Sequence, residues 1–221
     1  MKILLTAFEP FGGEAKNSAL EAMRACDMSG LSAEVRQLEV PTVFYESIKV
    51  VKEAMQAFRP DAVLCLGQAG GRSGLTPERV AININDAYIP DNAGWQPLNE
   101  SIVADGPAAY FSSLPIKTMV ASIQKAGIPA SVSNTAGTFV CNHLMYGVLH
   151  ILALSCNTCI GGFMHLPYLT EQVTDRPNMA SLSLEEQVRG LRAALSAIID
   201  HCKTRLPTPL VFNSLEREKP S

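Results

Sequence analysis

The chain has 221 residues, of which 47% are hydrophobic, 18% charged and 6% aromatic, and its net charge is −3. This composition excludes a disordered chain, and the small negative charge provides no basic surface for nucleic acid. The N-terminal apolar run is too short for a signal peptide, and no stretch reaches the roughly twenty apolar residues that cross a bilayer. We therefore expect a cytoplasmic protein with no nucleic-acid or membrane partner and with its six cysteines reduced.

Short apolar, β-rich runs alternate along the chain with longer helical patterns. The predicted strands are residues 2–7, 34–40, 62–66, 80–85, 130–133 and 160–166. The predicted helices are residues 18–26, 45–58, 115–126, 140–154 and 184–203. A strand that is apolar throughout needs helices on both faces of its sheet. We therefore expect an α/β fold, a three-layer α/β/α sandwich around a mixed, mostly parallel sheet.

The length of the chain fits one domain, which we place at residues 1–203 as a single catalytic α/β unit. The last helix follows a capping box formed by Ser183 and Glu186. Residues 204–221 contain three prolines and mixed charges, which predicts a C-terminal tail. The segment 84–115 is rich in Asn, Asp, Gly and Pro, and such a long loop region indicates a lid or a subunit contact.

Cys141 lies where a glycine-bearing turn enters the first turn of the predicted helix 140–154. The first N–H groups of a helix lack intrahelical partners and carry the positive end of the helix dipole, so they stabilise a thiolate and then an oxyanion. The position therefore indicates a nucleophile. The alternative is that Cys141 is a small buried residue, the commoner role of a free cysteine.

A thiol nucleophile needs a base, and His165 is the best candidate. It stands near the carboxyl end of the predicted strand 160–166, and open α/β sheets place their sites beyond the carboxyl ends of their strands. His143 is two residues along the same predicted helix and points away from Cys141, so it is a poor partner. His150 and His201 lie on predicted helices, where a structural or exposed histidine is expected. A structural role also remains open for His165.

A carboxylate that orients the base would complete the set. Glu78 is the best placed, because it follows the glycine-rich loop 67–77 at the end of another predicted strand. Glu171 and Asp86 are rivals, and Glu78 could equally be a solvated charge.

Two further patterns indicate other chemistry. The C-x-x-C motif at 156–159 could be a redox pair or half of a zinc site, although it follows a helix instead of opening one and no second pair of ligands is nearby. The loop 67–74 could bind phosphate, as in a nucleotide-binding or phosphorylase-like protein, but it lacks the lysine of a P-loop.

Seven sequence blocks together resemble the pyroglutamyl-peptidase I family, also called pyrrolidone-carboxylate peptidases. The blocks are AFEPFGG at 7–13, GQAGGR at 67–72, PERVAIN at 77–83, IPDN at 89–92, GPAAY at 106–110, SNTAGTFVCNH at 133–143 and HLPY at 165–168. The resemblance implies a catalytic trio of Cys141, His165 and Glu78. It also implies removal of an N-terminal pyroglutamyl group from a peptide substrate through a thiol acyl-enzyme, without cofactor or metal, by a homo-oligomer that is often a tetramer.

The resemblance further implies a pocket for the flat, mostly apolar lactam ring. The residues that it places in or near this pocket are Phe8, Phe11, Asn17, Thr42, Gln68, Tyr88, Ile89, Phe139 and Val140. Tyr88 stands where the family usually carries an arginine that is assigned to anion stabilisation, and a tyrosine hydroxyl brings no charge. We therefore expect weaker transition-state stabilisation, and Tyr88→Arg is the test: if kcat does not rise, the missing arginine is not limiting. A weakened relative that only binds pyroglutamyl peptides is the alternative.

Overall fold

The computed structural model describes residues 1–155 and 158–205 of the chain. The strands among these residues are β1 (Lys2–Phe8), β2 (Glu34–Val40), β3 (Ala62–Gln68), β4 (Thr76–Pro77), β5 (Val80–Ile82), β6 (Ala109–Phe111), β7 (Ile160–Leu166), β8 (Tyr168–Leu169) and β9 (Ser181–Leu182). The α-helices are α1 (Ser18–Ala25), α2 (Glu46–Phe58), α3 (Ile116–Lys125), α4 (Val140–Leu154) and α5 (Leu184–Arg205), and a 3-10 turn covers Thr170–Gln172.

The central sheet has five strands in the order β2-β1-β3-β7-β4. Strand β1 runs parallel to β2 and β3, and β3 runs parallel to β7, whereas β4 is antiparallel to β7. The predicted mixed, mostly parallel sheet is therefore confirmed. Because β1, β3 and β7 are parallel, their carboxyl ends meet at one edge, where the sites of open α/β sheets lie.

Helices cover both faces of this sheet. Ile3 and Leu5 of β1 pack in one hydrophobic cluster with α1, α3 and α5, whereas Leu4 and Phe8 pack in a second cluster with α2 and α4. Each fully buried aliphatic side chain contributes about 1.5–3 kcal/mol, so both clusters stabilise the sheet. The predicted three-layer α/β/α sandwich is confirmed, and the helix that carries Cys141 lies on the second face.

Two predicted strands differ in the structure. Residues 130–133 do not form a strand and make only isolated bridges to the segment that contains β4. Backbone hydrogen bonds join the two segments on both sides of Pro77, but Pro77 has no N–H to donate, so the bridges do not merge into a continuous ladder. The strand predicted at 80–85 is shorter: β5 ends at Ile82 and pairs with β6 in a separate two-stranded sheet.

The capping box before α5 is confirmed. The N–H and hydroxyl of Ser183 donate to Glu186 Oε2 at 2.8 and 2.7 Å, and the Glu186 N–H donates to the Ser183 hydroxyl at 3.2 Å. The helix continues through Arg205, and the remainder of the predicted tail, 206–221, lies outside the described residues. No helix in the described part of the chain is long and apolar enough to cross a membrane.

Candidate active site

Glu78 and His165 form a buried pair at the carboxyl edge of the sheet. His165 lies near the end of β7, and Glu78 directly follows β4, which pairs with β7. The Glu78 N–H donates to the Phe163 carbonyl at 2.9 Å, which fixes the backbone of the carboxylate residue. His165 Nδ1 lies 2.7 Å from Glu78 Oε1. Since an ionised carboxylate only accepts, Nδ1 carries the proton and Nε2 is the acceptor nitrogen of the ring.

Cys141 is the second residue of α4, and its thiol lies against β3. A Cβ atom placed on Gly67 would lie 2.9 Å from Cys141 Sγ and 2.8 Å from Phe163 Cζ, so no larger residue fits there without movement. Gly67 is also the register partner of His165 on the neighbouring strand. The missing side chain at Gly67 therefore lets the thiol approach the strand pair that carries His165.

Burial decides the resting protonation of the thiol and the imidazole. It raises the pKa of Cys141 to about 12, an effect that the charge of Glu78 increases and the charge of Arg72 reduces. It lowers the pKa of His165, and the hydrogen bond and charge of Glu78 offset part of that shift. At neutral pH the site thus holds a neutral thiol and a neutral imidazole. Burial thus opposes the stabilised thiolate that the helix start predicts.

Arg72 is a site residue that was not predicted from the sequence. Its Nη1 lies 2.8 Å from Glu78 Oε1 and also contacts the Thr76 hydroxyl, and its Nη2 donates to the Thr135 carbonyl at 3.1 Å. One guanidinium therefore neutralises the buried carboxylate and holds the turn that precedes α4. A usable signal exists, because a buried carboxylate requires a cation and Arg72 is the single cation in the loop 67–77.

The two rival carboxylates lie elsewhere. Glu171 is exposed and forms a surface ion pair with a lysine. Asp86 is held at the turn before α4: its N–H donates to the Thr138 carbonyl at 3.0 Å, and its carbonyl accepts from the Thr138 hydroxyl at 2.6 Å. Of the three candidates, Glu78 is the one that contacts His165.

The glycines of the loop 67–74 allow close packing. A Cβ atom on Gly70 would collide with the Tyr168 ring, and one on Gly74 would collide with the Pro129 backbone. Gly67, the first glycine of the loop, makes room for the Cys141 thiol in the same way. Packing therefore explains three of these glycines, whereas Gly71 adopts φ +83°, a conformation that favours glycine. The phosphate-binding alternative is not favoured.

The C-x-x-C motif was the sequence signal for redox or metal chemistry. Cys156 lies outside the described residues. Cys159 is half-buried, and burial raises the pKa of its thiol to about 12. Within 1–155 and 158–205, no group of three or more histidine, cysteine or acidic residues is arranged to hold a metal ion.

Apolar side chains gather at the start of α4. The ring centroid of Phe139, the residue before the helix, lies 6.0 Å from that of Phe11 and 5.4 Å from that of Phe44. Ile89 approaches the same loop, since its Cδ1 lies 3.5 Å from the Cβ position of Gly12. The structure thus brings Phe11 and Phe139 together, places Ile89 beside Gly12, the residue after Phe11, and adds Phe44, which was not predicted.

Phe8 and Val140 lie deeper than these side chains. They are 2% and 1% exposed, and the Phe8 ring centroid lies 6.4 Å from that of Phe163. Both belong to the hydrophobic cluster against which Phe139 and Cys141 pack. Val140, the first residue of α4, and Phe8 therefore belong to the core beneath the start of the helix and do not form the surface of the pocket.

The polar residues predicted for the pocket connect its loops. Asn17 caps α1 and donates to the Glu9 carbonyl at 3.3 Å, and the Thr42 hydroxyl donates to the same carbonyl at 3.0 Å. Gln68 Oε1 accepts from the Ser18 N–H at 2.8 Å. These bonds hold the segments that follow β1, β2 and β3 against one another.

Tyr88 projects into solvent, with 92% of its surface exposed. Its backbone is nevertheless fixed, because the Ala87 N–H donates to the Pro97 carbonyl at 2.9 Å and the Ala87 carbonyl accepts from Gln96 Nε2 at 2.9 Å. An exposed hydroxyl stays hydrated and gives little electrostatic stabilisation compared with a buried donor.

Known proteins are similar to this chain in sequence and in fold. The model of the pyroglutamyl peptidase family matches residues 1–201. The pyrrolidone-carboxylate peptidase of Streptococcus pyogenes serotype M1 is 59% identical over 200 residues, which cover 90% of this chain and 93% of that protein. The crystal structure of Bacillus amyloliquefaciens pyroglutamyl peptidase I matches with a TM-score of 0.87 and 49% identity, covering 91% of this chain and 98% of that one. A mutant pyrrolidone carboxyl peptidase from the hyperthermophile Pyrococcus furiosus matches with a TM-score of 0.87 and 36% identity, covering 91% and 99%. The chain therefore belongs to the pyroglutamyl peptidase family.

Proposed function

We propose that this chain is a cysteine peptidase that removes an N-terminal pyroglutamyl group from peptides. The observation that carries the proposal is the placement of three side chains at one edge of the sheet. Glu78 Oε1 lies 2.7 Å from His165 Nδ1, and the Cys141 thiol lies against Gly67, the register partner of His165. These are the nucleophile, base and orienting group of covalent acyl transfer. The family supplies the substrate class.

The first step transfers the thiol proton as the sulfur attacks. Because Cys141 rests as a thiol and Nε2 of His165 is unprotonated, His165 accepts the proton while Sγ bonds to the amide carbonyl carbon. The Glu78 carboxylate stabilises the resulting imidazolium. The oxyanion forms near the start of α4, where the first N–H groups have no intrahelical acceptor.

The second half of the reaction reverses these proton transfers. His165 donates its proton to the leaving amine, and the peptide departs without its first residue. Water then loses a proton to His165 and attacks the thioester, which releases pyroglutamate and restores the Cys141 thiol.

We propose that the lactam ring binds among Phe11, Phe139 and Ile89. A small, flat, mostly apolar ring suits apolar walls with a few hydrogen bonds from fixed backbone groups. Phe8 and Val140 support the walls, the three polar residues Asn17, Thr42 and Gln68 hold the loops, and Tyr88 lies at the exposed rim.

We also propose that residues 1–203 act as one catalytic domain and that the protein works in the cytoplasm as a homotetramer. A thiol nucleophile is retained in a reducing compartment. Large apolar side chains that are mostly exposed, Leu98, Phe111 and Leu154, support a contact between subunits. Size-exclusion chromatography with light scattering tests the assembly.

Release of a chromophore from a pyroglutamyl amide tests the activity. We expect hydrolysis by the wild type and a loss of about 10⁴-fold or more in Cys141→Ser, because removal of one member of a catalytic set removes most of its effect. Cys159→Ser is the matched control, since Cys159 is half-buried at the opposite end of β7. Equal rates for wild type and Cys141→Ser would exclude the thiol mechanism. Binding without hydrolysis by the wild type would establish the weakened relative instead.

A further inference from the structure

His143 is fully buried on α4, two residues beyond Cys141, and makes two hydrogen bonds. Its Nε2 accepts from the Tyr45 backbone N–H at 2.7 Å, and its Nδ1 lies 2.9 Å from Asn85 Oδ1. A backbone N–H can only donate, so Nε2 must be unprotonated and Nδ1 must carry the proton that Asn85 accepts. The neutral tautomer of His143 is therefore fixed by its two partners.

The bond to Nε2 holds a strained turn. Tyr45 has φ +58° and ψ −42°, and the Glu46 N–H donates to the Phe44 carbonyl at 2.7 Å, which together define a three-residue γ-turn with positive φ. This form is rare and strained for a residue with a side chain, and it persists only where its surroundings hold it. Here the Tyr45 ring stacks on Trp95 with centroids 5.7 Å apart, and it meets the His143 ring edge-on at 4.7 Å.

Phe44 is the first residue of the turn, and its ring also meets the His143 ring edge-on with centroids 5.2 Å apart. The Phe44 N–H donates to Asp91 Oδ2 at 3.0 Å, and the Phe44 ring meets that of Phe139 edge-on with centroids 5.4 Å apart. Phe139 in turn contacts Phe11, the opposite wall of the proposed lactam pocket. A continuous chain of contacts therefore runs from His143 through the turn to the pocket wall.

We propose that His143 is a positioning residue for the lactam pocket: by accepting from the Tyr45 N–H, it holds the strained turn that keeps Phe44 behind Phe139. The inference rests on the proposed function, since it concerns the pocket of that same site. The buried polar residues of the site then have two different roles. Glu78 and His165 support the chemical step, whereas His143 supports substrate binding.

Two substitutions at His143 separate its two hydrogen bonds. Glutamine places an amide oxygen near the position of Nε2 and can still accept from Tyr45, whereas asparagine places its amide near Nδ1 and keeps only the Asn85 bond. Both remove the imidazole ring and its ring contacts, so each is a control for the other for the loss of the ring. We expect His143→Asn to raise KM for a pyroglutamyl amide and the inhibition constant of 2-pyrrolidone by about tenfold, and His143→Gln to raise both by less than about threefold. In both variants kcat should change by less than about threefold.

Further measurements keep the outcomes distinct. His150→Asn, on the same helix but bonded to the Tyr110 hydroxyl, should leave KM unchanged. Thermal unfolding of the two His143 variants should show a lower midpoint for His143→Asn, which leaves the Tyr45 N–H without its acceptor. KM is therefore compared at a temperature at which both variants are fully folded, so that a difference in KM reflects the turn instead of unfolding. Equal KM values for His143→Asn and His143→Gln, or a loss confined to kcat, would overturn the positioning role. Absence of hydrolysis by the wild type would instead overturn the proposed function, and this inference with it.

Discussion

Two buried histidines at the ends of the same site differ in what their nitrogens contact. His165 donates from Nδ1 to the Glu78 carboxylate, and no described residue donates to or accepts from its Nε2. His143 donates from Nδ1 to the neutral Asn85 amide, and its Nε2 is already occupied by the Tyr45 N–H. Burial lowers the pKa of both rings. Of the two, however, only His165 is bonded to a carboxylate, which stabilises a positively charged ring. Its Nε2 is also the one that can still accept a proton.

The comparison shows that the acceptor determines the role of a buried histidine more than its burial does. A carboxylate stabilises the imidazolium, whereas an amide oxygen stabilises it little. His165 is therefore suited to acid–base catalysis, and His143 is suited to holding a fixed geometry.

Substitution of His165 should give the largest difference between the two regions. We expect His165→Ala to lower kcat by up to about 10⁴-fold, because the general base and the general acid are both lost. The inhibition constant of 2-pyrrolidone should stay within about threefold, because no pocket contact is removed. Steady-state kinetics and inhibition measure both quantities. The reverse pattern, weaker binding with little change in kcat, would assign the catalytic role elsewhere.

Removal of the charge on Arg72 should affect the His165 region most. Arg72→Met leaves the Glu78 carboxylate buried without its cation, which we expect to cost roughly 2 kcal/mol of folding free energy, less than for a fully buried pair because Arg72 is partly exposed. The kcat should fall by about 10- to 100-fold, since the ion pair that holds the Glu78 carboxylate against His165 is lost. Arg72→Lys is the control, because lysine keeps the ion pair and loses the bond to the Thr135 carbonyl. Chemical denaturation and kinetics would contradict this role if methionine and lysine behaved alike.

The pKa of His143 predicts how stability depends on pH. An unfolded histidine binds a proton below its usual pKa of 6.5, whereas burial lowers the pKa of folded His143 to about 3 and the charge of Asp91 opposes that shift only in part. Between these values the unfolded state binds more protons, so the free energy of unfolding falls as the pH falls, by up to about 1.4 kcal/mol per pH unit. Denaturation measured at several pH values in this range should give a free energy of unfolding that depends less steeply on pH for His143→Gln than for the wild type. Identical slopes would show that His143 already binds a proton in the folded protein.

Tyr88→Arg should have the smallest effect. Tyr88 is 92% exposed, so an arginine there would be solvated and screened and would act weakly on the oxyanion. We expect kcat to rise by less than about threefold, with Tyr88→Phe close to the wild type. A rise well above that in the chromogenic assay would mean that residue 88 approaches the reacting group when substrate binds.

The predictable parts of the molecule are those that local patterns determine. Apolar runs located the parallel strands, helical spacing located the helices, and the positions of Cys141, His165 and Glu78 at strand or helix ends marked them as candidates. The errors arise where distant partners decide the structure. Residues 130–133 lack a ladder because their distant partner segment contains Pro77, which has no N–H, and the apolar pattern at 130–133 does not show which segment lies beside it.

The support of the pocket depends on such distant partners as well. His143 bonds to residues 98 and 58 positions away in the chain, and Arg72 reaches the Thr135 carbonyl, 63 positions away. The sequence predicts that His143 is poorly placed to assist Cys141, and the structure shows what it contacts instead. The positive φ of Tyr45 carries no sequence signal, because a residue that favours positive φ does not stand there.

Mass spectrometry of the acyl-enzyme tests most directly that Cys141 attacks the pyroglutamyl carbonyl. The wild type is mixed with an activated pyroglutamyl ester, quenched in acid within the turnover time and digested. The expected result is the added mass of one pyroglutamyl group on the peptide that contains Cys141, and no such adduct in Cys141→Ser. Continued hydrolysis with no adduct, or with the adduct on another residue, would contradict the proposed mechanism.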